Sequence, residues 1–191
     1  TMTVPHDVLG HGTHVAGTAV GQNGIGVAPG ASWIAVNIAD AGGLIYDSDV
    51  HVGFQWLLAP ANNPALAPDV VNGSWSGEGW STAFLTDIQV LDTAGILTVF
   101  AAGNSGPEPE SLGAPASYAE TIAAGAHDDT NAVTWFSSRG PSPLNAEYRP
   151  HLIAPGARIY SSLPNGNYGY YNGTSMAAPH TTGAVALILA A

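Results

Sequence analysis

The sequence predicts an α/β domain: a three-layer, mostly parallel, doubly wound sheet with helices on both faces. Two observations carry that expectation. Short runs rich in Val, Ile, Leu and Ala alternate with longer stretches of helical period, the strand–helix–strand rhythm of a parallel sheet. The runs are apolar almost throughout, as strands covered on both faces are. At 191 residues the chain is a single domain, 1–191, with room for a full core.

Taken in order, Thr1 to Gly10 is a short, polar, irregular lead. Val15, Ala16, Ala19 and Val20 recur at helical spacing and predict a helix opening at His11. Gly21 to Gly30 is a loop stopped by Pro29. Trp33-Ile34-Ala35-Val36-Asn37-Ile38 reads as a strand buried on both faces. After Gly42-Gly43 comes a helix from about Asp49 to Leu58, capped by Asp47 or Ser48. Pro60 to Pro68 is a proline-rich surface connection. Asp69 to Ser74 is a strand, Ser81 to Thr93 a helix, and Ile96 to Ala102 the next strand. Glu120 to Ala126, Leu152 to Pro155 and Arg158 to Ser162 give further short strands. Asn165 to Gly169 is turn-rich, and Gly183 to Ala191 is an apolar helix. Ligands of such a sheet sit at the carboxyl ends of its strands, where Ser74 and Asn104 both fall.

Composition excludes several classes of function. Three arginines and no lysine against fourteen acids give a net charge of −11, which cannot neutralise a row of phosphates. Nucleic acid is therefore not a partner. The absence of cysteine removes disulfides, thiol catalysis and thiolate metal sites. The apolar tail is too short to span a bilayer, and no membrane partner is expected.

Three separated stretches carry chemistry. Gly173-Thr174-Ser175-Met176-Ala177-Ala178-Pro179-His180 sets Ser175 at a loop-to-helix junction, among unpaired N–H groups and at the positive end of the dipole. Alone, Ser175 reads equally well as a plain N-cap. His11-Gly12-Thr13-His14-Val15-Ala16-Gly17-Thr18 supplies a histidine base. Ala101-Ala102-Gly103-Asn104-Ser105-Gly106-Pro107 supplies an amide donor, although Asn-Ser-Gly also suits a turn. A base that takes a hydroxyl proton, a serine and an amide that holds an oxyanion are parts of an acyl-transfer site. His11 and His14 share a helix face approximately, but no third ligand or general-base Glu accompanies them as zinc hydrolysis needs.

In this order, histidine first and serine last, the three stretches resemble the subtilisin-like serine proteases, the subtilases or peptidase S8 family. Ser74-Trp75 and the proline-rich run before it resemble the bacillopeptidase F-like branch. The resemblance implies a serine endopeptidase with Ser175 as nucleophile, His11 as general base and Asn104 as oxyanion donor. It makes His14 and His180 structural. It implies a polypeptide substrate that adds as a strand between Leu44-Ile45-Tyr46 and Ser74-Trp75-Ser76, and a primary pocket lined by Ala101, Ala102 and Gly103. No cofactor is required. Calcium is the structural ion it brings in, yet the loop Gln22 to Val27 offers no carboxylate, and an acidic turn is the reading of Asp128 and Asp129. The resemblance further implies a secreted, extracellular protein, with a missing N-terminal segment or propeptide as a partner to look for.

The resemblance also implies a catalytic aspartate on a strand well upstream of the histidine. Ten residues precede His11, so the expectation is a partial catalytic domain, truncated at both ends, lacking that strand and impaired in activity. Asp7 is four residues from His11 on a loop, and Asp40 is the other carboxylate to weigh as a replacement. The competing expectation is a catalytically silent domain that keeps the peptide groove for binding.

Overall fold

The computed structural model describes residues 7–40 and 42–191; the lead from 1 to 6 lies outside them. Its centre is a parallel sheet of β1 (Val70–Gly73), β2 (Leu97–Ala101), β3 (Ile122–His127) and β4 (Leu152–Pro155), in the spatial order β1-β2-β3-β4. Helices α1 (His11–Val20) and α4 (Thr174–Leu189) pack together, and α4 lies across all four strands. Helices α2 (Asp47–Leu58) and α3 (Leu85–Thr93) cover the opposite face.

Strand alternation explains the layering. On β2, Val99 and Ala101 point to Ala178 of α4, while Phe100 joins Phe54, Ile88, Leu91 and Tyr118 on the other side. Ile88 and Leu91 are fully buried, each contributing about 1.5–3 kcal/mol by removal from water. On β3, Ala124 and Ala126 present only methyl groups to Ala178 and Ala177, so α4 approaches closely. Large residues sit on the α2–α3 face and small ones under the serine helix.

The structure corrects four local expectations. Residues 33–38 form no regular strand: Trp33 and Ile34 are 60% and 42% exposed. A strand exists only by exchanging backbone bonds with a neighbour. Among the described residues the sole bridge in this region is Ala39 with Ile45. Helix α2 starts at Asp47 with Tyr46 as its N-cap and no side-chain cap bond. Asp47 and Asp49 lie instead in the first turn, where negative charge meets the positive end of the dipole. Helix α3 starts only at Leu85, because the Ser81 hydroxyl accepts the Ala83 N–H and holds a turn there.

The fourth correction is the turn-rich run. Residues Asn167–Tyr171 form β6, paired antiparallel with β5 (Ile159–Leu163). The turn itself is only Pro164–Gly166, where Asn165 and Gly166 take φ of 62° and 74°, the left-handed pair a tight hairpin demands. Helix α4 correspondingly begins at Thr174 rather than Gly183.

Candidate active site

Gly173, at φ 147°, turns the chain into α4. Ser175 is the second helical residue, so its N–H has no partner within the helix. Four residues on, Pro179 lacks the N–H that would have bonded the Ser175 carbonyl. That carbonyl is taken up by the Ser74 hydroxyl, which donates to it at 2.7 Å. Ser175 Oγ donates in return to the Ser74 carbonyl at 3.0 Å. Asn72 Nδ2 donates to Ser74 Oγ at 2.9 Å, and Thr182 Oγ1 donates to Asn72 Oδ1 at 3.0 Å. The end of β1 and the start of α4 are thus locked by a side-chain relay.

Asn104 is fixed by the same helix start. Its Oδ1 accepts the Thr174 N–H at 2.9 Å and the Thr174 hydroxyl at 3.0 Å. Since both partners donate, the carboxamide orientation is set, and Nδ2 is left as a donor on the other side. The Thr174 hydroxyl also accepts the Gly103 N–H at 3.2 Å. Asn104 is therefore more than a turn residue: it is tied to the neighbour of Ser175.

His11 opens α1. The N-cap is Gly10, and the Asp7 carboxylate before it accepts N–H bonds from Leu9, Gly10 and Thr13 at 3.2, 2.8 and 2.7 Å and the Thr13 hydroxyl at 2.6 Å. Burial alone would raise the Asp7 carboxyl, but these bonds hold it below its usual value. Burial, and then the neighbouring His14, push His11 below the ordinary histidine range against the pull of Asp7. The ring of His11 makes no hydrogen bond to any described residue. Asp40 accepts the Gly42 and Leu44 N–H groups at 2.8 and 2.9 Å, which occupies it in its own turn.

His14 is a core residue. Its Nε2 faces the carbonyls of Ile159 and Gly169 at 3.0 and 3.2 Å and so carries the proton. The ring stacks on Tyr171 at 4.5 Å, pinning the hairpin to α1. No cluster of three potential metal ligands occurs among the described residues. The loop Gln22 to Val27 does not fit calcium: the Gln22 amide donates to the Pro29 carbonyl, and the loop itself carries no carboxylate. Asp128 closes an acidic turn on Thr130 and Ala132. His180 bonds the Met176 carbonyl within α4 at 2.8 Å.

The two segments expected to flank a peptide differ in their surroundings. Leu44, Ile45 and Tyr46 are exposed. Ser74 touches Ser175 directly, and Ser76 is exposed with its Cβ close over Gly113. Trp75 instead packs edge-on against Phe84 and Phe100, both at 5.4 Å, so its indole belongs largely to the core. Ala101, Ala102 and Gly103 are buried and present backbone more than side chain. Sequence reasoning missed Asn72, Thr174 and Thr182, the polar residues that position the others; their only signal was a hydroxyl or amide at a strand end or helix start.

Residues 3–191 match the family model described as the Subtilase family. Bacillopeptidase F of Bacillus subtilis (strain 168) is 42% identical over 96% of this chain and 14% of its own length. Subtilisin E of the same organism is 43% identical over 96% of this chain and 46% of its own length. Among solved structures, S41 psychrophilic protease superposes with a TM-score of 0.87 at 32% identity, covering 100% of this chain and 66% of that one. Sphericase gives 0.85 at 31% identity, covering 95% and 63%. The chain spans less than half the length of these two curated relatives.

Proposed function

Because the chain belongs to the subtilase family, with nearly its whole length matched, we propose that it carries the serine, base and oxyanion groups of a peptide-bond hydrolase. Ser175 Oγ attacks the substrate carbonyl while His11 takes its proton. The oxyanion is met by the Ser175 N–H and Asn104 Nδ2. His11 then returns the proton to the leaving amine, and water hydrolyses the acyl-enzyme by the same steps. A histidine held below its ordinary range by burial is neutral at pH 7 and ready to act as base.

The observation that carries this reading is the double anchor of Asn104 on Thr174. It commits the carboxamide oxygen and leaves the NH₂ beside the serine, as an oxyanion donor requires. Asn104→Leu in the full natural protein should lower turnover by roughly 10²–10³ with little change in KM, the loss known when subtilisin itself loses such a donor. Unchanged turnover with a lowered melting temperature would reduce Asn104 to a structural role.

Asp7 and Asp40 bond residues of their own turns and neither bonds the His11 ring, so the acid that orients His11 comes, in this reading, from sequence outside these residues. The 191-residue chain alone is then impaired, by roughly 10⁴-fold if subtilisin-type enzymes without their acid are the guide. The substrate is an extended polypeptide, apolar at the residue before the cut bond, laid between Leu44-Ile45-Tyr46 and Ser74-Trp75-Ser76 in an extracellular setting. One observation favours a silent peptide-binding domain: Ser175 Oγ donates to Ser74 rather than to His11. Labelling with a fluorophosphonate separates the two, since a silent domain leaves Ser175 unlabelled in the longest natural form of the protein as well.

A further inference from the structure

The segment from Leu112 to Tyr118 is a buried loop: Leu112, Ala114, Ala116, Ser117 and Tyr118 are each at most 2% exposed. Loops ordinarily run over the surface, because buried carbonyls and N–H groups outside regular structure need partners. Two of its bonds go to the segments assigned to the substrate. Ala114 O accepts the Gly77 N–H at 2.8 Å, and the Gly113 N–H donates to Ala102 O at 2.9 Å. Gly113 has no room for a Cβ, which would stand 2.5 Å from Ser76 Cβ. The loop thus links the segment at 74–77, which meets it in a bridge of Gly77 with Ala114, to the segment at 101–103.

The Ser142 hydroxyl donates to the Ser117 carbonyl at 2.8 Å and Thr121 Oγ1 faces the Pro115 and Tyr118 carbonyls, while Arg149 ties the end of the loop to the residues that follow it. Arg149 Nη1 donates to the carbonyls of Ala116 and Thr121 at 3.4 and 2.9 Å, and Nη2 donates to Ala119 at 3.2 Å. Nε and Nη2 donate to the Glu147 carboxylate at 3.3 and 2.7 Å. A guanidinium has five N–H groups, and all are used. The residue is 5% exposed, and lysine, with three donors and no planar fork, cannot reproduce the pattern. Of the three cations in the chain, this one is spent wholly inside the protein.

We propose that Arg149 is a specificity-determining positioning residue: it fixes the loop joining the two walls of the primary pocket and so sets which side chain is accepted before the cut bond. The selectivity part rests on the peptidase reading; the loop-fixing part does not. The test has two measurements, hydrogen exchange on the 191-residue chain and probe labelling on the longest natural form of the protein, each beside the Arg149→Lys and Arg149→Met variants. In amide hydrogen exchange, the Gly77 and Gly113 N–H groups should lose about tenfold in protection while Val99 and Ala124 in the sheet keep theirs. Unchanged protection, or a uniform loss through the sheet, overturns the proposal.

The second measurement labels Ser175 with peptidyl phosphonates bearing Phe, Leu or Ala next to phosphorus, and with a small fluorophosphonate lacking any peptide. The fluorophosphonate rate should be unchanged in both variants, and the ratio of Phe to Ala probe rates should shift about tenfold. A constant ratio beside altered exchange makes Arg149 merely structural and overturns the proposal. If no probe labels the longest natural form of the protein, the peptidase reading falls and the specificity role with it, while hydrogen exchange still reports separately on the loop.

Discussion

Thr174→Val is an informative perturbation, because valine keeps the volume and branching of threonine and removes only the hydroxyl. That hydroxyl donates to Asn104 Oδ1 at 3.0 Å and accepts the Gly103 N–H at 3.2 Å. The residue is 1% exposed, so water cannot replace it. Losing the first bond costs about 1 kcal/mol, and leaving a buried N–H bare costs about 1–3 kcal/mol more. The sum is roughly 2–4 kcal/mol, which for a domain of this size lowers Tm by about 5–15 °C. Calorimetry of Thr174→Val beside Thr174→Ser checks it. Serine keeps both bonds and loses one methyl group, so it should recover most of the loss. Equal melting temperatures for the two variants would refute the claim that the hydroxyl organises the Gly103–Asn104 segment.

Gly17→Ala should destabilise, although alanine in an exposed helix gains about 1 kcal/mol over glycine. Its Cβ would lie 2.1 Å from Ser162 Oγ and 2.5 Å from Ser161 Oγ, and both hydroxyls are committed to α1 carbonyls, so a rise in Tm would contradict the packing described. Stability should also fall with acid: burial first of all holds His11 and His14 below the ordinary histidine value of 6.5, so the unfolded chain binds more protons. The contribution is complete above that value and is lost as pH drops from it toward the lower folded values; His14→Phe should flatten the urea-midpoint profile there, and an unaltered slope would show that His14 does not contribute.

Much of the fold was legible because the signal was local. The apolar runs at 70–73, 97–101 and 152–155 are strands whichever partners they take, and β4 coincides with the expected Leu152 to Pro155. Trp33 to Ile38 carries the same signal and fails, because a ladder needs a neighbour and composition says nothing about who sits alongside. The hairpin strand Asn167–Tyr171 was hidden by its glycine and asparagine, which mask the alternation of Tyr168 and Tyr170. In the site, the blocks around His11, Asn104 and Ser175 are distinctive strings. Thr174, Asn72 and Arg149 matter through bonds to residues 70, 110 and 28–33 positions away, and no window of sequence records those.

The helix that bears Ser175 follows all four strands in the chain and rests on every one of them. A nascent polypeptide therefore makes Ser175 after the four strands that carry its helix, and can seat it only on a sheet already assembled. Asn104 waits on the same event, since its orientation comes from the first residue of that helix. A half-folded molecule has neither this helix start nor the carboxamide orientation that the helix start sets.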